Sequence, residues 1–295
     1  MSTWFFTSDL HGQSDYYEQA LALASERRPR ALLVGGDLGP HAGGEGGVRR
    51  QRLFLEGFLV EFARRLREAV PGIELLLMPG NDDWAANHDV LERHHGEWWR
   101  SLHGRVVEVD GVAVAGSSYV PITPFGMKDW ERWEDGEPES PLKLEGWVSD
   151  ARGVHAFAFD PARRTPTLAA ALDDLAAQCD PARTIFTCHS PARDTHCDVT
   201  NGGHHVGSRA LRAFVERHQP PLLLSGHIHE SPRVTGHWRD TIGATVTVNP
   251  GQFGHPRLAG VWFDPADPAG TLRHTTLSAN GIPGTPAGSH GGGDA

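Results

Sequence analysis

The sequence has 295 residues, a formal net charge of -10 at pH 7, 39% hydrophobic residues and 22% charged residues. This balance is typical of a globular protein with a buried core, and no apolar run approaches the roughly 20 residues that cross a bilayer. The negative charge argues against general binding to nucleic acid or to an anionic membrane, although bound cations would reverse the sign locally.

Short apolar runs that end in polar, glycine-rich turns recur along the chain. Successive positions in these runs are apolar, which is typical of strands that are covered on both faces. The runs are residues 4–7, 31–34, 73–78, 112–115, 184–187 and 222–224.

Helical periodicity separates these runs. Apolar stripes predict helices around residues 17–24, 55–66, 168–175 and 211–215, each with one face in the core. Asp15 and Glu18 fit a capping box for the first helix, and Ser208 fits the N-cap of the fourth. The alternation of strands and helices predicts an α/β fold.

The pattern changes after His229. Closely spaced segments at 234–238, 244–248, 258–263 and 271–277 predict strands of an antiparallel sheet that completes a domain over residues 1–277. Residues 278–295 are rich in Gly, Pro, Ser and Ala, and they cannot bury enough apolar surface to become ordered. We therefore predict a disordered tail there.

The segment Tyr119–Pro166 fits neither the strand nor the helix period. It carries Trp130, Trp133 and Trp147 among acidic residues and prolines. Two interpretations are open at this point. The segment is a lid or substrate loop over a site, or it is a loop whose aromatic side chains only attach it to the body of the protein.

Polar side chains follow five of the predicted strands, at the point where each strand ends. Because loops from neighbouring strands converge at the carboxyl ends of an α/β sheet, we expect these side chains to form one site. Carboxylates, an amide and imidazoles, without thiolates, suit divalent Mn, Fe, Zn, Co or Ni ions. The side chains are Asp9, His11, Asp37, Asn81, His189, His227 and His229.

The order of these motifs resembles the calcineurin-like metallophosphoesterases. The motifs are Ser8-Asp9-Leu10-His11, Gly36-Asp37, Gly80-Asn81-Asp82-Asp83, Cys188-His189 and Gly226-His227-Ile228-His229, followed by Asn249-Pro250-Gly251. The resemblance implies a four-layer αββα sandwich with the site at the sheet edges. It also implies a metal-dependent phosphoester hydrolase.

The resemblance further implies two divalent metal ions, with Asp37 bridging them and a shared hydroxide as the nucleophile. One ion would take Asp9, His11, Asp37 and His229, and the other would take Asp37, Asn81, His189 and His227. Within this set, His189 is also a candidate catalytic residue and Asn81 a candidate substrate contact.

Asp82 departs from the family pattern, which usually has a histidine there that neutralises the phosphate or protonates the leaving oxygen. A carboxylate repels a dianionic phosphate, so we expect a preference for diesters or for good leaving groups. Asp82 is a candidate catalytic acid if its pKa is raised, and otherwise lies behind the ligands or faces solvent. The neighbouring Asp83 either orients a ligand or water or is a simple turn carboxylate.

Residues 203–209 precede the fourth helix, where similar family members carry a Gly-Ser helix start. A helix N-terminus with free N–H groups suits an anion, so we predict His205 and Arg209 as substrate contacts, which is compatible with capping by Ser208. Three other histidines lack paired ligand spacing and are predicted to lie on the surface. They are His94, His95 and His103.

Three functional hypotheses remain open. The first is a phosphodiesterase or phosphatase that acts on a small phosphoester or nucleotide, and the complete set of ligand residues favours it. The second is a phosphoesterase-like scaffold that binds partners without turnover. The third is a protein phosphatase or a nuclease, against which the acidic balance and the replaced histidine argue.

The sequence gives weaker indications of the cellular compartment and of the oligomeric state. The first residues lack a basic leader and a long apolar stretch, unlike a signal peptide, and the 3 cysteines have no disulfide or metal-finger pattern. We expect a cytoplasmic protein without membrane attachment. Trp98 and Trp99 mark either core packing or the interface of a homo-oligomer.

Overall fold

The computed structural model of the protein describes residues 2–134, 136, 142–252 and 256–277. Two six-stranded sheets and two smaller two-stranded sheets form within these ranges. The strands are β1 (Trp4–Thr7), β2 (Ala31–Val34), β3 (Glu74–Leu77), β4 (Arg100–Ser101), β5 (Arg105–Val109), β6 (Val112–Ser117), β7 (Val120–Pro121), β8 (Glu131–Arg132), β9 (Glu145–Asp150), β10 (Gly153–Ala158), β11 (Thr184–Cys188), β12 (Leu222–Leu224), β13 (Arg239–Ile242), β14 (Thr245–Val248), β15 (Val261–Phe263) and β16 (Arg273–His274).

Eight α-helices form within the described ranges, and several of them cover the outer faces of the two large sheets. They are α1 (Ser14–Arg27), α2 (Gly44–Leu53), α3 (Val60–Ala69), α4 (His88–Arg93), α5 (Leu168–Ala176), α6 (Arg209–His218), α7 (Ser231–Thr235) and α8 (Pro268–Thr271). A π-helical segment, Phe54–Leu59, joins α2 to α3. No helix in the described ranges has both the length and the apolarity needed to span a bilayer.

Each large sheet has four parallel strands flanked by antiparallel ones. The first sheet has the order β16-β15-β1-β2-β3-β4, and β1 to β4 run parallel. The second has the order β13-β14-β12-β11-β6-β5, and β6, β11, β12 and β14 run parallel. The carboxyl ends of the parallel strands therefore lie along one rim of each sheet.

The alternation of side chains along each strand creates three apolar layers. In β1, Phe5 packs with α1 and α3, whereas Trp4 and Phe6 pack between the two sheets. In β11, Ile185 joins the layer between the sheets and Phe186 packs with α5 and α6. Full burial of each large side chain contributes about 1.5–3 kcal/mol. The predicted αββα sandwich is confirmed.

The predicted strands before His229 are all present, and Ser208 caps α6 by accepting a hydrogen bond from the N–H of Leu211. The capping box at the first helix is wrong. That helix begins at Ser14 after Gln13, whose side chain makes no capping bond. Glu18 instead pairs with Arg65 on α3, so a contact between helices uses the side chain that the pattern assigned to a cap.

The end of the chain departs from the predicted antiparallel sheet. Residues 234–238 do not form a strand. Pro232 lies in the first turn of the short helix α7, and Gly236 ends that helix with a φ of 77°. The later segments divide between both sheets: β14 runs parallel to β12, whereas β15 and β16 extend the first sheet beside β1. The predicted tail, residues 278–295, lies outside the described residues.

The described residues of the segment Tyr119–Pro166, called the insert below, form two small sheets. Strands β7 and β8 pair with each other, and β9 and β10 form an antiparallel hairpin. Trp130 and Trp133 are buried, whereas the Trp147 side chain is 51% exposed. Trp99, outside the insert, is buried in the first core layer, which confirms core packing for that residue.

Candidate metal centre

The seven side chains singled out in the sequence converge on the rim where the two large sheets meet. Asp9 and His11 follow β1, Asp37 follows β2, Asn81 follows β3, His189 follows β11, and His227 and His229 follow β12. Backbone hydrogen bonds join the loops: the N–H of Asp9 donates to Gly36, and the N–H of Gly226 donates to His189. The N–H of His227 donates to Asp9 Oδ1 at 3.0 Å, which joins the loops of one sheet to those of the other.

Four of these side chains bring one donor atom each to within 4.8 Å of the others: Asp9, His11, Asp37 and His229. His229 Nε2 lies 3.2 Å from Asp9 Oδ1 and 3.2 Å from His11 Nε2. His11 Nε2 lies 3.6 Å from Asp37 Oδ2. Two carboxylates and two imidazoles in this arrangement fit a divalent ion of the Zn or Mn kind.

A second group adjoins the first through Asp37. His189 Nε2 lies 3.4 Å from Asp37 Oδ2 and 3.1 Å from Asn81 Oδ1. The rings of His189 and His227 have centroids 5.2 Å apart. His189 Nδ1 donates to the carbonyl of Gly35 at 2.9 Å, so the other ring nitrogen faces the carboxylate and the amide, the arrangement usual for a metal-binding histidine.

Four of these residues have left-handed backbones. The φ angles are 61° at Asp9, 45° at His11, 52° at Asp37 and 66° at His227. Each such conformation in a residue other than glycine costs on the order of 1–3 kcal/mol, and such residues cluster at functional sites. The surrounding structure therefore holds these side chains in place at the expense of stability.

Two features of the Asn81 loop keep the donors close together. A Cβ atom at Gly80 would overlap the backbone nitrogen and the carboxylate of Asp37, so only glycine allows this approach. Asp83 is buried and accepts hydrogen bonds of 2.8–2.9 Å from the N–H groups of Leu38, Gly39 and Gly80. Asp83 thus connects the loop that carries Asp37 to the loop that carries Asn81.

The cluster holds strongly coupled charges. Burial disfavours the charged form of His189, but the Asp37 and Asp9 carboxylates outweigh burial and raise its pKa to about 10. The same balance, with Asp9 as the main partner, raises the pKa of His229 to about 9. His227 is buried beside His189, which lowers its pKa to about 3. The buried carboxylates thus retain protons on nearby imidazoles, and a cation can replace those protons.

The comparisons with known proteins agree with this geometry. Residues 4–231 match the family model described as calcineurin-like phosphoesterase. The chain belongs to this family.

Solved structures share the fold of this phosphoesterase. TT1561 of Thermus thermophilus superposes with a TM-score of 0.57 at 20% identity, covering 92% of this chain and 97% of that one. Another crystal structure superposes with a TM-score of 0.62 at 16% identity over the same shares of both chains. No match was found among curated proteins.

Asp82 lies beside the cluster and contacts three neighbouring side chains. Its Oδ2 lies 2.8 Å from Nδ1 of the exposed His41 and 3.6 Å from Nδ1 of His11. The Asn81 amide donates to Oδ1 at 3.3 Å. Burial and the Asp37 charge raise the pKa of Asp82, whereas both histidines oppose the shift. Sequence reasoning missed His41, which lies four positions after Asp37 without a recognised motif.

His205 lies on the far side of the cluster, in the loop before α6. Its Nδ1 is 2.7 Å from Oδ1 of Asp198, a fully buried carboxylate. Asp198 also accepts hydrogen bonds from the N–H groups of Asp194, Thr195 and Gly207. The loop that carries His205 is therefore organised around one carboxylate that the sequence pattern did not identify.

The predicted anion site at the start of α6 is wrong, because Glu134 fills it. The N–H groups of Arg209 and Ala210 donate to Glu134 Oε2 at 2.6 and 3.0 Å, and the hydroxyl of Ser208 donates to Oε1 at 2.6 Å. The free N–H groups that would bind a phosphate thus contact a carboxylate of the same chain. The side chains of His205 and Arg209 still line a cavity that reaches His227.

The surface prediction is wrong for His103. Its ring packs against Tyr119 and Trp130, with centroids 4.7 and 4.8 Å away, and its Nδ1 accepts a hydrogen bond from the N–H of Ser118. Burial, followed by the charge of His88, lowers the pKa of His103 to about 3. This histidine is a packing residue beneath the insert.

Proposed function

We propose that the protein is a dinuclear metal-dependent phosphoester hydrolase that favours diesters, with a small phosphoester or nucleotide as its substrate. The observation that carries the proposal is the position of Asp37, whose Oδ2 lies 3.6 Å from His11 Nε2 and 3.4 Å from His189 Nε2. One buried carboxylate is thus shared by two groups of donors, as a carboxylate that bridges two ions would be.

The first ion would be held by Asp9, His11, Asp37 and His229, and the second by Asp37, Asn81, His189 and His227. When bound, two divalent ions supply Lewis acidity and lower the pKa of a shared water to about 7, which makes hydroxide available as the nucleophile. Mn, Fe, Zn, Co and Ni all suit this donor set.

The diester preference rests on Asp82. Its carboxylate accepts from the Asn81 amide and contacts His41, so both oxygens are engaged as acceptors. A carboxylate held in this way adds negative charge beside the substrate phosphate and repels a dianionic monoester more than a monoanionic diester. Burial and the Asp37 charge raise the pKa of Asp82, but the contacts with His41 and His11 oppose this shift. Because both oxygens already have donors as well, we assign Asp82 to positioning His41 and to substrate charge selection and not to acid catalysis.

The substrate would lie between the donor cluster and the cavity lined by His205 and Arg209. Asn81 lies within the donor cluster, 3.1 Å from His189 Nε2, so we include it among the candidate substrate contacts. Asp198 holds the Nδ1 side of the His205 ring, which leaves its Nε2 as the atom for a substrate contact. These contacts would orient a substrate whose phosphoester is its only charged group.

The first experiment is the Asp37→Asn variant, assayed with bis(4-nitrophenyl) phosphate after reconstitution with Mn²⁺. We expect kcat/KM to fall by about 10³-fold or more, because the shared carboxylate is lost and electrostatic stabilisation with it. Asp110→Asn, which changes an exposed carboxylate paired with Arg30, is the matched control and should retain activity. Unchanged turnover in Asp37→Asn with retained circular dichroism would refute the enzyme and leave a binding scaffold.

The second experiment compares the same diester with 4-nitrophenyl phosphate in the wild-type protein and in Asp82→Asn. We expect the wild type to favour the diester, and the variant to shift the ratio of kcat/KM values toward the monoester by about 10-fold. A wild-type preference for the monoester would contradict the assignment of Asp82.

A further inference from the structure

A cavity of about 650 Å³ adjoins the donor cluster. Residues of the insert and of the loop before α6 line this cavity, together with His227 and Ile228. His227 therefore belongs both to the donor cluster and to the cavity wall. A volume of this size accommodates a drug-sized organic group in addition to a phosphate.

Most of the insert side chains that line the cavity are apolar. Among them, Ile122, Phe125, Trp133 and Leu142 form an apolar wall, and the Phe125 side chain is 55% exposed. An exposed phenyl ring beside a site gains about 25 cal/mol for each Å² of apolar surface that a ligand covers. This wall favours a planar or aliphatic group over water.

The wall is held in shape by a buried ion pair. Lys128 Nζ donates to Glu131 Oε2 at 2.7 Å and to the carbonyl of Thr123 at 2.9 Å, and both charged side chains are almost fully buried. Glu131 also accepts a hydrogen bond from the Thr123 hydroxyl. Because this pair fixes the loop that carries Phe125, the apolar wall is formed before a ligand binds.

Arg193 and Arg209 also line the cavity, and each has a carboxylate neighbour. Arg193 Nε lies 3.7 Å from Asp194 Oδ1, and the charge of Arg209 acts on Glu134. Glu134 lines the cavity and occupies the α6 N-terminus through the N–H groups of Arg209 and Ala210 and the hydroxyl of Ser208. A second phosphate on a substrate would meet this carboxylate instead of the free N–H groups. The cavity thus combines an apolar wall with an anion position that is already filled.

We propose that this cavity binds the uncharged organic substituent of a phosphodiester and that Glu134 excludes a second phosphate group from it. The inference rests on the proposed function, because it places the reacting phosphate at the donor cluster. It narrows the substrate class to monoanionic diesters with a nucleoside-sized or aryl-sized group, and it disfavours polyphosphorylated compounds.

The test measures kcat/KM of the Mn²⁺-reconstituted full chain with three probes that share the 4-nitrophenolate leaving group. They are methyl 4-nitrophenyl phosphate (the methyl ester), thymidine 5′-(4-nitrophenyl phosphate) (the thymidine ester), and the same thymidine ester with an added 3′-phosphate. We expect the thymidine ester to exceed the methyl ester by about 10-fold, the factor that corresponds to roughly 60 Å² of buried apolar surface. The added 3′-phosphate should lower kcat/KM about 10-fold relative to the thymidine ester without it, because of charge repulsion.

Two variants assign these effects to residues. Phe125→Ala should reduce the thymidine-to-methyl ratio about 5-fold, through KM, because apolar contact is lost. Glu134→Gln should raise the relative kcat/KM of the 3′-phosphorylated probe about 5-fold. Trp147→Ser, which changes another exposed aromatic residue of the insert, is the matched control and should leave the ratios unchanged. Thermal melting checks that each variant is folded.

Equal kcat/KM values for the methyl and thymidine esters, or an unchanged ratio in Phe125→Ala, would overturn the cavity assignment while leaving the hydrolase intact. If no probe is hydrolysed, the proposed function is refuted. Binding measurements then test separately whether the cavity takes an organic substituent. Calorimetry would then compare diphenyl phosphate with dimethyl phosphate. Tighter binding of the diphenyl ester that weakens in Phe125→Ala supports the cavity, and equal binding rejects it.

Discussion

The donor cluster and the insert are built in opposite ways. The cluster draws its side chains from five strands of two sheets, so its members are far apart in sequence and are joined by backbone bonds such as that from Gly226 to His189. The insert pairs mostly with itself, through the β9–β10 hairpin and a small apolar group of Ile122, Trp133 and Phe159. One region is fixed by the whole fold and the other mainly by local contacts.

The difference separates chemistry from selectivity. The cluster contains left-handed residues and buried carboxylates, which lower stability and, under the proposed function, would hold the ions that support the reaction. The insert contributes apolar side chains to the cavity, which under the same proposal would select the substituent. Changes in the insert are therefore expected to alter substrate preference before they alter metal binding.

The largest expected effect comes from Asp83→Ala, which breaks the tie between two ligand loops. Three buried N–H groups, those of Leu38, Gly39 and Gly80, lose their acceptor. We expect the free energy of unfolding to fall by about 3 kcal/mol or more, since each unsatisfied buried group costs about 1–3 kcal/mol. Urea unfolding measures the loss. A midpoint equal to that of the wild type would show that Asp83 does not join the loops.

Metal binding provides the next largest effect. A saturating ion at 100 times its Kd stabilises the folded state by about 2.7 kcal/mol, so chelation should lower Tm by several degrees. Calorimetry in buffers of different ionisation enthalpy should detect about two protons released per protein at pH 7, one each from His189 and His229. Binding without proton release would contradict the raised pKa values of these imidazoles.

The pH dependence without metal follows from the same shifts. The folded pKa values of His189 and His229, about 10 and about 9, lie above the ordinary value of 6.5. Their contribution to stability is therefore complete below about pH 6.5 and is lost as the pH rises through 9 to 10. The Tm of the metal-free protein should fall over this range more steeply than that of the Mn²⁺-loaded protein.

The smallest effect is expected from Asp129→Ala, which weakens the attachment of the insert. Asp129 accepts hydrogen bonds from the N–H groups of Ala85 and Ser149 and from the Ser149 hydroxyl. We expect the free energy of local unfolding of the insert to fall by about 1–2 kcal/mol, which faster proteolysis within the insert would detect. The Mn²⁺ affinity should be retained. Equal losses of metal affinity and insert protection would show that the two regions are not separable.

Local patterns in the sequence predicted the alternation of buried strands with amphipathic helices and the polar residues at the strand ends, whereas the four-layer arrangement was implied by the family resemblance. Runs such as residues 31–34 are apolar at every position, and Asp37 follows that strand directly, so the alternation and the strand ends can be recognised without long-range information. The same reasoning identified Ser208 as the α6 cap. It failed at residues 234–238, where Pro232 starts a short helix.

Only the tertiary structure decided which distant side chains meet. Glu134 fills the start of α6, Asp83 joins two ligand loops, and His41 contacts Asp82, and none of these contacts follows a sequence period. The division of the last strands between both sheets was likewise not predicted, because a local pattern does not specify which sheet a strand joins. Local periodicity specifies which face of a strand or helix is buried, whereas the partner across that face is determined by how the whole chain packs.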